Sequence, residues 1–394
     1  MPRRKRGGIR WTALAVLIAA AFAWSERDAI REHVLAARAE GEEAAADGVR
    51  GMSAEERLIR DLAAGFASRE SRFDAVYEGD RDKLAKELPD RIREALAQDD
   101  YVRYSLASYV YTIRSIGDRS TIHIEARYRE TKEQSEAVTA EVRQILGRII
   151  EPGMNDHERV KAIHDWVVSN VDYDTGLKRY TAYEALKEGL AVCQGYSLLG
   201  YRMLTEAGIT ARIAEGEVNT GEQHAWNMVM LDGRWYHLDL TWDDPVARDG
   251  GASKDGRIRY TYYLRTDEQL RKDHSWTLAY PAADTDYADT VRRLAKSGGS
   301  GQQAVFAELQ RQLGLHWLEP EYTVNGVRQL TARLEQALQA KAGALQFRYE
   351  QGERLAEDLK AAVNGLSRPA GYKATYEPYG TDGSVLVTLE LTAG

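Results

Sequence analysis

Ala191-Val192-Cys193-Gln194-Gly195-Tyr196, then His224-Ala225-Trp226-Asn227, then Trp235-Tyr236-His237-Leu238-Asp239-Leu240-Thr241-Trp242-Asp243-Asp244-Pro245 are the parts of one stretch that decides how this chain reads. Cys193 is the only cysteine. A lone cysteine with a histidine and an acid downstream is a candidate thiol nucleophile, its base and its orienter. Local patterns say where each would sit. Cys193 opens a helix with Leu199, Met203 and Leu204 inward and Gly208 as its C′ residue. Thr210 to Val218, His224 to Leu231 and Arg234 to Trp242 alternate as strands. Asp232-Gly233 is a two-residue hairpin signal, and it sets a register. Leu231 faces Arg234, Met228 faces His237, Trp226 faces Asp239 and His224 faces Thr241. His224 and Asp239 are then diagonal neighbours on one face. Asn227 falls on the other face, which makes it a poor orienter. His237 shares the reactive face nearer the turn and is the second candidate base.

These residue types suit thiol chemistry. The thiolate is the nucleophile, and a helix N-terminus favours it through partial positive charge and unpaired N–H groups. His224 can take the thiol proton and later give a proton to a leaving amine. Asp239 can hold one ring nitrogen and so select the tautomer that faces sulfur. The Cys193 N–H points toward a developing oxyanion. The Tyr183 hydroxyl is the candidate second donor. Taken singly, each residue also has a plain structural reading. A single cysteine is usually a small buried hydrophobe, a histidine beside tryptophan a satisfied side chain, and an acid in Leu-Asp-Leu a sheet cap. The hairpin register is what joins them.

Outward from this stretch, the chain has 394 residues, enough for two or three domains. Its net charge of −8 and its lack of a Lys/Arg stripe interleaved with aromatics do not suggest nucleic acid. A single cysteine excludes an intrachain disulfide. Upstream, Val138, Val142, Ile145 and Ile149 mark a helix ending at Pro152-Gly153. Asn155 or Asp156 caps the next, whose buried face is Val160, Ile163, Val167 and Val171. A short helical piece around Tyr183, Ala185 and Leu186 ends near Gly189.

Two flanking segments share an order of helix, strand, helix, strand, strand. In the first, Leu58, Leu62 and Phe66 are followed by Phe73 to Tyr77, then Leu84, Leu88, Ile92 and Leu96, then Tyr104 to Ile116 and Thr121 to Tyr128. In the second, Leu330, Leu334 and Leu338 precede Leu345 to Tyr349. Leu355, Leu359, Val363 and Leu366 come next, and Tyr372 to Tyr379 and Ser384 to Leu391 flank Asp382-Gly383. We read an internal duplication, with Tyr77-Glu78 and Tyr349-Glu350 at the same phase. Gly298-Gly299-Ser300-Gly301 reads as a linker. At the N-terminus, Arg3, Arg4, Lys5, Arg6 and Arg10 precede an apolar run of about fourteen residues, Trp11 to Trp24. That is short of the roughly twenty that span a bilayer. It reads as a signal peptide, with an uncleaved signal anchor as the alternative. Either places the remainder outside the cytoplasm.

The central stretch resembles the transglutaminase-like superfamily. The matching text is Val192-Cys193-Gln194-Gly195-Tyr196, Gln223-His224-Ala225-Trp226-Asn227, Leu231 to Asp239 and Thr241-Trp242-Asp243-Asp244-Pro245. The Val160 to Tyr173 helix, Tyr260-Tyr262-Tyr263-Leu264 and His274 are similar to bacterial, extracytoplasmic members. The resemblance covers about residues 131 to 280. It implies a papain-like α+β core with a helical half and an antiparallel sheet, and it places nucleophile, histidine and acid on Cys193, His224 and Asp239. Members include acyl transferases that crosslink glutamine to lysine, peptidases, amidases and proteins with lost activity.

The expected organisation is a signal peptide or anchor (1–24), a stalk (25–53), an α+β module (54–130), the transglutaminase-like core (131–295), a linker and connecting helix (296–328) and a second α+β module (329–394). The expected function is an extracytoplasmic cysteine enzyme that forms a thioester with a carboxamide or peptide carbonyl and passes it to an amine or water. Its partner is a protein or peptide substrate, cell-envelope material included, and the membrane itself if residues 11–24 stay uncleaved. The alternative is a catalytically silent envelope scaffold. No cofactor is expected. His157, His164, His224, His237 and His274 lack HExxH or paired Cys/His spacing, so no metal is expected either. Asp243-Asp244 with Asp249 lacks the ligand spacing of a calcium loop, and there is no Gly-x-Ser-x-Gly elbow.

Overall fold

The computed structural model describes residues 51–244, 258–297 and 299–393. The apolar run 11–24, most of the 25–53 stretch and Asp249 lie outside the described residues. Among those described, no helix is long and apolar enough to cross a membrane. The described residues divide into two compact units, those up to 98 with 110–125 and those of 99–109 with 126 onward.

The first unit opens with α1 (Ala54–Ala67), started by a capping box in which Ser53 and Glu56 bond each other's backbone N–H. Then come β1 (Arg72–Glu78) and α2 (Arg81–Leu96). A short α3 (Asp100–Ser105), which belongs to the second unit, leads into β2 (Leu106–Ile116) and β3 (Arg119–Tyr128), in a sheet ordered β1–β3–β2. The apolar stripes bury as their spacing requires: Leu58, Leu62, Phe66, Leu84, Leu88 and Ile92 are all buried. One boundary differs from expectation. Tyr104 is helical, not extended, because the Asp99 carboxylate accepts the N–H groups of Tyr101 and Val102 and caps a turn first.

The second unit carries α4 (Lys132–Ile149) and α5 (Asp156–Asn170). Asn155, not Asp156, caps α5, in a capping box with Glu158. Next come β4 (Asp172–Tyr173), α6 (Ala182–Glu188), β5 (Leu190–Ala191) and α7 (Cys193–Glu206). Then follow β6 (Ala211–Val218), β7 (Gln223–Leu231), β8 (Arg234–Leu238), the turn α8 (Leu240–Asp243), α9 (Asp267–Leu270) and β9 (His274–Ser275). The antiparallel sheet runs β8–β7–β6–β9. The helical half packs on it through one core that includes Val142, Ile163, Leu199, Met203, Val229 and Tyr236. This is the α+β core that was expected.

The Asp232-Gly233 turn has positive φ at both residues, 50° and 74°, the signature of a tight type I′ hairpin. Leu231 pairs with Arg234 and Met228 with His237, as the turn dictates, and the ladder ends at Asn227 with Leu238. The third strand therefore stops short of Trp242. Asp239 leaves the ladder and caps α8 instead.

Helices α10 (Tyr287–Ser297) and α11 (Ser300–Gln312) follow. Residues 300–312, expected in the linker and connecting helix, bury Phe306 and Leu309 in the central core. The chain ends with β10 (Thr323–Val324), α12 (Gly326–Gln339), β11 (Ala344–Tyr349), α13 (Leu355–Asn364), β12 (Ala370–Tyr379) and β13 (Ser384–Ala393). Their sheet is ordered β10–β11–β13–β12. Without β10, that is the β1–β3–β2 pattern of the first unit. The likeness is one of topology. The phased tyrosines differ: Tyr77 donates to Glu55 on the helix before its strand, and Tyr349 to Asp358 on the helix after it.

Candidate active site

Cys193 is the first helical residue of α7. The N-cap, Val192, is extended and offers no side-chain cap; its own N–H and that of Gly195 go to the Arg179 and Val192 carbonyl oxygens at 2.8 and 2.9 Å, which leaves the N–H groups of Cys193 and Gln194 as the open donors of the helix start. Its thiol is partly exposed. Two glycines let α7 sit this close to its supports. A Cβ at Gly195 would stand 2.6 Å from Ala191 Cβ and 3.1 Å from the Thr181 carbonyl oxygen, and one at Gly200 would stand 2.6 Å from Asn227 Oδ1. The first fixes the nucleophile's turn against β5. The second presses α7 onto β7. Asn227 points that way, donating to the Ser197 carbonyl oxygen at 3.0 Å, so it lies on the face away from His224 as the alternation requires.

His224 and Asp239 come together as expected, although not as a ladder pair. His224 Nε2 donates to Asp239 Oδ2 at 2.7 Å. The other ring nitrogen, Nδ1, is left for sulfur, and the Cys193 thiol is a hydrogen-bond partner of the imidazole. Burial disfavours charge on His224, but Asp239 and then Cys193 outweigh it and push the imidazole up to about 10. Burial alone would raise Asp239, yet His224 and His274 hold it well below the usual carboxylate range. Asp239 Oδ1 accepts the N–H groups of Thr241 (3.0 Å) and Trp242 (3.1 Å). These bonds aim the carboxylate, and α8 exists to supply them.

Two aromatic rings wall the imidazole. Trp226 stacks on His224 with ring centroids 5.9 Å apart and planes 20° from parallel, and Trp242 lies 5.7 Å away. Such walls exclude water from one side of the His224–Asp239 pair and strengthen its electrostatics.

His237, the second candidate base, is not available. Its Nδ1 accepts the Trp226 indole N–H at 2.9 Å, and its Nε2 donates to Asp267 Oδ1 at 2.8 Å. An indole nitrogen is a donor only, so Nδ1 must be unprotonated and the ring neutral. Burial lowers this imidazole despite Asp267. The register that put His237 on the reactive face was right; the structure gives both its nitrogens other work.

Tyr183, the suggested second oxyanion donor, lies on α6. Its N–H bonds Glu130 at 2.8 Å and its ring packs on the central core. Tyr173 is the tyrosine set against the thiol. It pairs with Ala191 in the β4–β5 bridge, two residues before Cys193. Burial first, then Cys193 and Glu222, push its phenol up to about 12, so it stays a neutral donor.

His274 was visible in sequence only as part of a resemblance. Its Nε2 reaches Asp239 Oδ2 at 3.1 Å. Among the described residues, His224, Asp239 and His274 form the one group whose ligand atoms, all within 4.8 Å, could approach a metal ion. Those atoms are already joined to each other by hydrogen bonds. His224 faces a thiol behind, and His274 a carboxylate. This is the pattern of a proton-holding chain.

A model of the transglutaminase-like superfamily matches residues 143–240, which include all three residues. Kyphoscoliosis peptidase of Mus musculus is 27% identical over 167 residues, 36% of this chain and 25% of that protein. The Homo sapiens protein of the same name is 27% identical over 161 residues, 35% of this chain and 24% of that one. The chain thus spans about a quarter of the length of these curated relatives. A solved structure described as a TGase overlaps 43% of this chain and 50% of its own, at 16% identity and a TM-score of 0.26. The helix-borne thiol, the histidine on its hairpin and the acid that caps the next turn lie within the residues that the transglutaminase-like superfamily model matches.

Proposed function

We propose that this protein is a cysteine acyl-transfer enzyme acting outside the cytoplasm on protein or peptide substrates. The observation that carries the reading is the series Cys193–His224–Asp239, in which Asp239 bonds His224 at 2.7 Å and Cys193 acts on the same imidazole, with Asp239 buried and Cys193 partly exposed. In the first step the Cys193 sulfur attacks a carboxamide or peptide carbonyl carbon. The carbonyl oxygen takes negative charge beside the Cys193 N–H, with the Tyr173 hydroxyl close by. As the C–N bond breaks, His224 Nδ1 gives its proton to the departing ammonia or amine, leaving a thioester on sulfur. In the second step an amine or water attacks that thioester. His224 takes the attacking group's proton, the C–S bond breaks, and the thiolate is restored. Asp239 holds Nε2 throughout, so the ring always shows the same nitrogen to sulfur.

The location rests on Arg3, Arg4, Lys5, Arg6 and Arg10 ahead of the apolar run 11–24. The test is an incubation of purified protein with cell-surface proteins and a labelled primary amine, read by mass spectrometry. Amine incorporation or new cleavage that disappears in Cys193→Ala supports the reading. Equal products from both proteins, or none from either, would overturn it.

A further inference from the structure

Asp239 Oδ2 receives two imidazoles at once. His224 approaches at 2.7 Å and His274 at 3.1 Å, their rings 5.3 Å apart. Behind His274, its Nδ1 meets Asp273 Oδ1 at 2.7 Å, and the Tyr262 hydroxyl donates to Asp273 Oδ2 at 2.6 Å. A histidine whose two nitrogens both face ionised carboxylate oxygens satisfies both only when it carries both protons. By that test His274 is an imidazolium. His237 is neutral, because an indole N–H fills one nitrogen. His224 alone has its second nitrogen turned to a group that can give and take a proton.

We propose that His274 is a positioning residue for the His224–Asp239 pair: it shares the one carboxylate oxygen with His224, fixes it in place, and offsets part of its negative charge. This rests on the catalytic reading of the site and extends it. An Asp239 shared with no other cation would hold His224 so strongly as an imidazolium that proton return to a leaving amine would slow. A second cation on the same carboxylate oxygen weakens that hold. The backbone supports the role. β9 is only two residues long, and it pairs His274 with Val218 at the end of β6. The histidine is thus delivered to the oxygen of Asp239 that His224 uses, from 35 positions away. Trp242 covers it at a ring distance of 4.4 Å, and His274 is 2% exposed. The positive direction of its shift agrees: burial lowers it, and Asp239 and Asp273 more than reverse that.

Other titratable and charged groups facing the chain are few and named. Cys193 faces His224, Asp243 acts on α8 beside Asp239, and Tyr262 closes Asp273. His237 and Arg271 lie beyond the Trp226 and Trp276 rings. None of them supplies a second cation to Asp239 Oδ2.

The experiment is a pH titration of His224, followed through its ring-carbon NMR resonance in full-length protein carrying 13C-labelled histidine and assigned with His224→Gln. In His274→Gln the amide can still donate to Asp239 but brings no charge. The His224 midpoint is expected to rise by roughly one pH unit, the size of a like-charge interaction over about 5 Å between protein and aqueous dielectrics. Asp273→Asn, which removes the anion behind His274, is expected to move it the same way by less. It also serves if His274→Gln fails to fold. A midpoint unmoved in every folded variant would overturn the proposal, because a merely structural His274 changes stability and not titration. The two readings separate cleanly. A moved midpoint in a protein without acyl-transfer products keeps the coupling and sinks the enzyme. Products with an unmoved midpoint do the reverse.

Discussion

Two histidine–aspartate pairs lie on the same face of one hairpin, and they do opposite jobs. At the open end His224 meets Asp239 at 2.7 Å; toward the turn His237 meets Asp267 at 2.8 Å. Both rings are buried. What differs is the other nitrogen. On His224 it looks to the Cys193 thiol, which can exchange a proton. On His237 it accepts from the Trp226 indole, which cannot. The carboxylates differ as well. Asp239 is 0% exposed and accepts four N–H groups, so solvent does not screen its pull on His224, whereas the Asp267 side chain is 37% exposed and its pull is screened. A carboxylate at hydrogen-bonding distance therefore does not make a catalytic histidine. The group on the far side of the ring does.

The largest effects that can break this contrast come from its reactive end. Cys193→Ala is expected to abolish acyl transfer, in the labelled-amine assay, down to whatever the binding surface alone supports. Asp239→Asn should cost roughly 10³- to 10⁴-fold in kcat, since the amide favours the wrong ring tautomer. A loss under tenfold would mean the acid only props up the turn. At the other end, His237→Gln should leave kcat/KM within about threefold. His237→Ala should lower unfolding free energy by about 1–3 kcal/mol, because the Trp226 indole is left without its acceptor. Denaturant unfolding separates that from any catalytic role.

The smallest effect is on stability against pH. His224 is raised in the folded state, so its contribution is complete below the unfolded value of about 6.5 and is lost as pH climbs toward about 10. Asp239 is lowered, so its contribution is present above about 4 and is lost as acid reaches its depressed folded value. Wild-type Tm is expected to decline steadily from about pH 6.5 upward. His224→Gln should flatten that decline, while His237→Gln, which alters a neutral ring, should not. A wild-type Tm level from neutral to about pH 10 would remove the charge difference between the two histidines.

Much of this was legible in the sequence because the register is local. Asp232-Gly233 admits one tight turn, and from it the faces of His224, Asn227 and His237 follow by counting. The rest depends on contacts that counting cannot reach. Asp239 meets His224 from the cap of α8, because its Oδ1 finds two N–H donors in the next two residues and the strand ends there. His237 shows the same face with a different partner, set by a tryptophan eleven positions away. Tyr173 comes near Cys193 because β4 pairs with β5, a two-residue bridge too short to leave a period in the sequence. His274 reaches Asp239 through a two-residue strand for the same reason. In the flanking segments, apolar spacing gave the helices and strands with small errors at their ends. Phe306 and Leu309 of α11 join the central core, and that is a tertiary choice that a glycine-rich spacer conceals.

On this geometry His224, and not His237, serves the thiol. The most direct measurement is the rate of Cys193 alkylation by iodoacetamide at neutral pH in wild type, His224→Gln and His237→Gln. We predict a fall of at least about tenfold in His224→Gln, where the imidazole that draws off the thiol proton is gone, and no change beyond about twofold in His237→Gln. Equal rates in all three proteins, or a larger fall in His237→Gln, would contradict it.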